Sequence, residues 1–237
     1  MPSVLITGAN RGIGLEFARQ YADDGWQVHA CCRAPESADA LKAVAEAASG
    51  RVSVHAFDVA DFDRIDALAA ALSGTAIDVL INNAGLFGPK LSAEGDDRQQ
   101  FGKIAYDIWT DVLRVNTFAP MKMAEAFVDH VERSALKTIA SITSGLGSIA
   151  ETEGGYYIYR TSKAALNMAM ASLARDLQPR GIAVGVFCPG WVKTDMGGPG
   201  ASVEPQDSIA GLRREIAALK PTGTAPFHRF NGDVLAW

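Results

Sequence analysis

Short apolar runs alternate with longer amphipathic stretches from one end of the chain to the other. The runs at 3–7, 27–32, 52–58, 77–82, 136–142 and 182–188 are rich in Val, Ile and Leu with little alternation. A late pair follows across 227–235, broken at Asn231-Gly232. Such runs predict strands covered on both faces, as in a parallel sheet. Between them, stretches such as 13–24, 37–48, 61–72, 159–177 and 207–219 read as helices. In the third, Ile65, Leu68, Ala69 and Leu72 fall at i, i+3, i+4 and i+7 and make one apolar stripe. Gly25 and Gly50 stand where helix ends need a left-handed residue. Strand–helix–strand repetition folds through right-handed crossovers into a parallel sheet with helices on both faces. No linker, composition shift or fixed-period repeat divides the 237 residues, so one α/β domain over 1–237 is expected. The Gly- and Pro-rich stretch 197–206 reads as a mobile loop within it.

Composition narrows the class. Hydrophobic residues make up 48% and charged residues 21%, the balance of a globular protein rather than a disordered or fibrous one. Twenty-two basic against 27 acidic side chains leave a net charge of −5 with no basic run. Nucleic acid is therefore excluded as the main partner, although a local cationic pocket for a phosphorylated ligand is compatible. No stretch approaches the roughly 18 apolar residues of a membrane helix, so no membrane partner is expected. Met-Pro-Ser enters the first strand without a charged leader, and the three cysteines are too few and ill-placed for a disulfide framework. Cys31 and Cys32 would face opposite sides of one strand. A cytoplasmic, reducing setting is expected. Cys188 reads as a packed thiol. His29, His55, His130 and His228 lack ligand spacing, so no metal is expected.

The first strand runs into Thr7-Gly8-Ala9-Asn10-Arg11-Gly12-Ile13-Gly14, where a helix begins. Glycines in such a turn permit positive φ and the close approach of a pyrophosphate to backbone N–H groups. Dinucleotide folds place an acid on the adenosine ribose about twenty residues further on. Here the second strand instead ends Cys31-Cys32-Arg33, and Arg11 lies in the turn itself. Two guanidiniums suit a 2′-phosphate, which predicts NADP(H) over NAD(H). Tyr159 and Lys163 stand at i and i+4 of one helix, where an ammonium is expected to favour the ionised phenol. A Tyr–Lys pair alone is common by chance, and its context gives it weight. Ser144 follows the strand ending at Ile142; Asn82-Asn83-Ala84-Gly85 and Pro189-Gly190-Trp191-Val192-Lys193-Thr194-Asp195 end two others. All fall at the carboxyl edge of the sheet, where open α/β folds bind ligands.

These motifs, colinear from Ser3 to Trp237, resemble the short-chain dehydrogenase/reductase family. PGWVKTDMGG (189–198), GGYYIYRTSKAALN (154–167) and the ending NGDVLAW are similar to its C-factor/sniffer-type carbonyl reductase branch. The resemblance implies a Rossmann-like doubly wound, seven-stranded, mainly parallel sheet in the order 3-2-1-4-5-6-7. It implies that Tyr159 is the acid, that Lys163 holds the nicotinamide ribose and lowers the tyrosine pKa, and that Ser144 binds the substrate oxygen. Thr143 and Ser148 are alternatives to Ser144, since Tyr159 follows it at a wider gap than in many family members. Asn116 would interrupt its helix and organise a water leading to Lys163. Gly8, Asn10, Arg11, Gly12, Ile13, Gly14 and Arg33 would contact the cofactor, with Asp58 and Val59 at adenine. Asn83, Ala84, Gly85, Pro189, Gly190, Val192 and Thr194 complete that set, Thr194 and the Val192 backbone gripping the carboxamide. Leu146, Trp191 and Met196 are expected at the substrate.

The function implied is NADP(H)-dependent reduction of a small ketone, aldehyde or quinone. An NADP-binding regulatory protein with little turnover, or an oxidative alcohol dehydrogenase, is the alternative. A homodimer or homotetramer paired through 107–133 and 161–177 is also implied; Ala164, Leu166, Met168, Met170 and Leu173 make the second helix apolar on several faces.

Overall fold

The computed structural model describes residues 1–90 and 95–237. Its strands are β1 (Ser3–Thr7), β2 (Gln27–Cys32), β3 (Val52–Ala56), β4 (Val79–Asn82), β5 (Thr138–Ile142), β6 (Ala183–Cys188) and β7 (Phe227–Arg229). They form one sheet in the order β3-β2-β1-β4-β5-β6-β7, with every neighbouring pair parallel. The order expected from the family resemblance holds.

Three strands are two residues shorter than their apolar runs, each for a local reason. The Asp58 carboxylate accepts the Ala60 N–H (2.9 Å) and turns the chain after β3. Ile77 N–H bonds the His130 carbonyl of a helix instead of a strand (3.0 Å). Lys137 sits at φ +51° immediately before β5. The expected return strand after Asn231-Gly232 is reduced to a single antiparallel bridge between His228 and Val234.

Helices α1 (Gly12–Asp23), α2 (Asp39–Ala47), α3 (Phe62–Ala71), α4 (Tyr106–Leu113), α5 (Ala119–Glu132), α6 (Tyr157–Leu177) and α7 (Pro205–Ala217) cover the sheet. The helical stretch over 107–133 is interrupted around Asn116, as the family resemblance implies: it is two helices joined by a π-helical turn at Arg114–Phe118. Alternate residues of each strand serve opposite cores. Leu5 and Leu80 pack with Ile65 of α3, Phe127 of α5 and Met170 of α6 on one face. Val4 and Ile6 pack with Phe17 of α1, Leu41 of α2 and Leu212 of α7 on the other. Burial on both faces explains why the strands read as continuous apolar runs.

One polar pair sits among these strands. His29 Nδ1 and His55 Nε2 lie 3.1 Å apart, across the β2–β3 ladder. Burial first, then its neighbour's charge, pushes His29 down to about 4, and burial lowers His55 as well. Unfolded histidines gain a proton near pH 6.5 while the folded pair resists it. The unfolded state therefore binds more protons below pH 6.5, and stability is lost as pH falls from 6.5 toward 4. Thermal melts at about pH 7.5 and about pH 5 are expected to show a larger drop for the parent than for a His29→Gln/His55→Gln variant.

Candidate active site

The β1–α1 turn is built for close approach. Gly8 and Gly12 take φ +68° and +55°, a region that L side chains rarely enter. A Cβ at Gly14 would lie 2.2 Å from the Gly8 carbonyl and 2.5 Å from Asn83 Nδ2. Helix α1 starts with no side-chain cap and no acid in its first turn, which leaves its positive end for an anion. Thr7 Oγ1 accepts the N–H groups of Asn83 and Ala84 (both 3.0 Å), while Asn83 Nδ2 donates to the carbonyls of Thr7 (2.8 Å) and Gly8 (3.2 Å). The turn after β1 and the loop after β4 are thereby one hydrogen-bonded unit.

Arg11 reaches Asp195 of the loop after β6 (3.0 Å), both side chains largely exposed. Arg33, exposed after β2, has no ion pair among the described residues. A cavity of about 330 Å³ opens beside the turn, lined by Asn10, Arg11, Gly12, Lys193, Thr194 and Asp195 among others. It lies at one end of the carboxyl edge, and none of Asn116, Ser144, Tyr159 and Lys163 lines it.

The other end gathers four side chains. Asn116 is fully buried in the π-helical turn. Its Oδ1 accepts Leu86 N–H (2.8 Å), and its Nδ2 donates to Leu86 O (2.8 Å) and Ser162 Oγ (2.9 Å). Ser162 Oγ in turn donates to the Tyr159 carbonyl (2.8 Å). A Cβ at Gly85 would come within 3.3 Å of Asn116 Oδ1 and 3.6 Å of Lys163 Nζ, so these groups converge on one glycine. Lys163 Nζ donates to the Ile142 carbonyl at the end of β5 (2.8 Å). Ser144 stands two residues on, where its Oγ accepts Leu146 N–H (3.1 Å). Of the alternatives, Thr143 Oγ1 is committed to Asn167 Oδ1 (2.6 Å) and Ser148 Oγ to Glu151 N–H (3.1 Å).

The electrostatics differ from the helix-spacing expectation. Burial raises the Tyr159 phenol well above its ordinary value near 10; the nearby Cys188 sulfur adds to this, and a hydrogen bond with the Ser144 hydroxyl pulls the other way. The Lys163 ammonium is 5.8 Å from the centre of the tyrosine ring and points at Ile142 O. Its own burial pushes it down to about 8. Burial outweighs the Ser144 hydrogen bond, so the phenol holds its proton at neutral pH.

These observations find their counterpart in known proteins. Residues 2–203 match the family model for short chain dehydrogenase. The chain belongs to the short-chain dehydrogenase family. This short-chain dehydrogenase is 38% identical over 162 residues to a C-signal protein of Myxococcus xanthus, covering 68% of the chain and 93% of that relative. It superposes with TM-score 0.89 and 33% identity on a short-chain dehydrogenase/reductase of Burkholderia multivorans solved with bound NADP, covering 100% and 99% of the two chains. The carbonyl reductase Sniffer of D. melanogaster matches with TM-score 0.87 and 33% identity, each chain covered in full. Those neighbours put the protein on the carbonyl reductase branch.

In this short-chain dehydrogenase the loop after β6 arches back over the turn. A Cβ at Gly12 would meet Thr194 Cγ2 at 3.4 Å, and Val192 is buried in a bridge to Val203. Pro189 accepts the Ser208 hydroxyl (2.7 Å), and Gly190 at φ +81° faces the Phe230 ring. Trp191 differs from expectation. Its Nε1 donates to Gly197 O (2.7 Å) and its ring covers Gly200, so it braces its own loop. Met196 is exposed and Leu146 half-buried at the rim. Asp58 is spent on its own turn, and Val59 packs against the core beside it.

Two residues in contact with the tyrosine carry no sequence signal. The Phe87 ring lies 4.5 Å from the Tyr159 ring at 32°, and Gln99 Oε1 accepts Tyr159 N–H (2.9 Å). Both sit in the irregular connection after β4, where no periodicity marks a residue as facing inward.

Replacing Gly14 with alanine is expected to force the turn off Asn83. Overpacking of this kind costs roughly 1–3 kcal/mol, read by chemical denaturation, and dinucleotide binding should fall with it in a fluorescence titration.

Proposed function

We propose that this short-chain dehydrogenase reduces a small ketone, aldehyde or quinone carbonyl with NADPH, using Tyr159 as the proton donor. The observation that carries the reading is the buried phenol, protonated at neutral pH and set beside Ser144 and Lys163 on the carboxyl edge.

The glycine turn, the uncapped start of α1 and the two arginines suit a nucleotide with a 2′-phosphate. Gly8, Gly12 and Gly14 would admit the pyrophosphate to the backbone. Arg11 and Arg33 would hold the 2′-phosphate, Arg11 exchanging Asp195 for it. Asn10, Ile13, Ala84, Gly85 and the 189–194 segment would line the remainder. When bound, the nicotinamide supplies the hydride.

The chain's own groups manage the proton and the charge. A carbonyl oxygen placed between Ser144 and Tyr159 would meet two O–H donors already oriented for the developing negative charge. Ser144 stays a hydrogen-bond donor, and Tyr159 passes its proton to that oxygen. Lys163, charged below pH 8, stabilises the transient phenolate and orients the ribose hydroxyls. Asn116 holds the loop at Leu86 against α6, which keeps Lys163 and Tyr159 in register. Because Tyr159, Lys163 and Asn116 are buried and Ser144 is half-buried, little water competes for the proton.

A binding role with little turnover is favoured by one finding, the identity to a C-signal protein. The two readings separate in one assay. Tyr159→Phe is expected to lower kcat for carbonyl reduction by at least about 100-fold with NADPH affinity kept, as for loss of an acid–base group. Tight NADPH binding with no Tyr159-dependent turnover on a carbonyl panel would support the binding role. Reductive kcat/KM should also decline as pH rises through about 8, where Lys163 loses its proton. Arg11→Ala/Arg33→Ala should weaken NADPH relative to NADH by roughly 10–100-fold, the worth of one or two charge-assisted hydrogen bonds.

Pairing through α4, α5 and α6 is part of the same reading. Tyr106, Phe118 and Met168 lie on or beside these helices as exposed apolar side chains, Met168 at 68%. Sedimentation is expected to show a dimer or tetramer, and a single 25.1 kDa species would refute it. The three cysteines are free and buried, which accords with a cytoplasmic setting.

A further inference from the structure

We propose that Gln99 is a positioning residue for the proton donor. From a loop sixty residues upstream, it fixes the first turn of α6 and the aromatic shelf under Tyr159 together. This inference rests on Tyr159 acting as the acid.

Helix α6 begins without help from its own flanking sequence. The residue at its N-cap is Tyr156, at φ +47° and with no side-chain capping bond. Four N–H groups open every helix without intrahelical partners. Gln99 supplies two acceptors for them: its carbonyl takes the N–H of Tyr157 (3.1 Å) and its side-chain Oε1 the N–H of Tyr159 (2.9 Å).

The other end of the same amide faces the opposite way. Gln99 Nε2 donates to the carbonyls of Phe87 (3.0 Å) and Pro89 (2.5 Å). Phe87 is the residue whose ring lies against Tyr159, and it also meets the Tyr156 ring edge-on with centroids 5.5 Å apart. Gly88 between them takes φ +79°, and a Cβ there would come within 3.4 Å of Gln99 Nε2. The side chain is fully enclosed, with 0% exposure.

An amide meets this demand because it accepts at one end and donates twice at the other. A carboxylate cannot donate, and an apolar side chain of equal length does neither. With the amide gone, an N–H and two carbonyls lose their partners, so the Tyr159 backbone and the Phe87 shelf each lose an anchor. The tyrosine is then free to drift by a fraction of an ångström, the scale on which proton transfer is lost. The nucleotide end is held by Thr7, Asn83 and the glycines, none of which bonds to Gln99, so cofactor affinity should be spared.

The test compares Gln99→Met and Gln99→Glu with the parent and with Tyr159→Phe. For Gln99→Met, kcat is expected to fall about 10–100-fold while the NADPH dissociation constant moves by less than about two-fold. For Gln99→Glu, kcat should rise as pH falls, because only the protonated acid can donate toward Phe87 or Pro89; the parent should lack this added ionisation. Unchanged kcat in Gln99→Met, or a loss that tracks NADPH affinity, would overturn the proposal, as would a Gln99→Glu profile that parallels the parent. Should Gln99→Met fail to fold, the pH profile of Gln99→Glu decides. Turnover lost in Tyr159→Phe but intact in Gln99→Met sinks the role of Gln99 alone. Turnover that survives Tyr159→Phe sinks the acid assignment itself.

Discussion

Peptide groups that leave a parallel sheet at its carboxyl edge lose their ladder partners while still shielded from water. An unpaired buried N–H or C=O costs about 1–3 kcal/mol, so each needs a substitute. In this protein several of the substitutes are side-chain amides, beside the Thr7 hydroxyl and the Lys163 ammonium. Asn83 ties the loop after β4 to the turn after β1, and Asn116 grips both peptide groups of Leu86. Asn167 accepts from Thr143 and reaches the Gly147 carbonyl, while Gln99 serves α6. An amide can donate and accept at once, which lets one side chain staple two segments of different polarity. The irregular edge is thus nearly as well specified as the strands beneath it.

That rigidity bears on the ionisable groups. A buried ammonium without a charged partner is costly unless its protons find acceptors. Here the phenol stays neutral and the ammonium has a carbonyl to bind. A neutral phenol beside a cation is poised for one event, in which proton loss turns an uncompensated positive charge into a compensated pair. The lysine therefore favours the product of proton donation more than its starting state, the differential on which catalysis depends.

Much of this was legible in the chain. The strand runs, the glycine turn, Ser144 and the Tyr159–Lys163 spacing announce the sheet and its edge because each obeys a local rule of period or turn chemistry. The failures share a cause. Period alone does not mark the break at Arg114–Phe118; the expected interruption at Asn116 came from the family resemblance, and the π-helical turn bears it out. Gln99 and Phe87 act across about sixty to seventy positions from an aperiodic loop, and nothing nearby distinguishes them from solvent-facing residues. Trp191 beside a glycine-rich loop suggested a substrate contact, whereas the ring covers Gly200 of its own loop. The expected pull of Lys163 on the phenol followed from spacing and from the family resemblance, neither of which reads the burial of this phenol.

The wide turn around Asn116 has a consequence for how the chain can change. A π-helical turn closes its hydrogen bonds one residue later than an α-helix and so stores one surplus position. Trimming a residue other than Asn116 from 114–118 would let the segment rewind into ordinary helix, a change that backbone geometry alone would welcome. The same rewinding would swing Asn116 off Leu86 and Ser162 and cut the loop loose from α6. Here the more comfortable backbone is the less capable protein, and selection for sturdiness alone would erode the site from its scaffold inward.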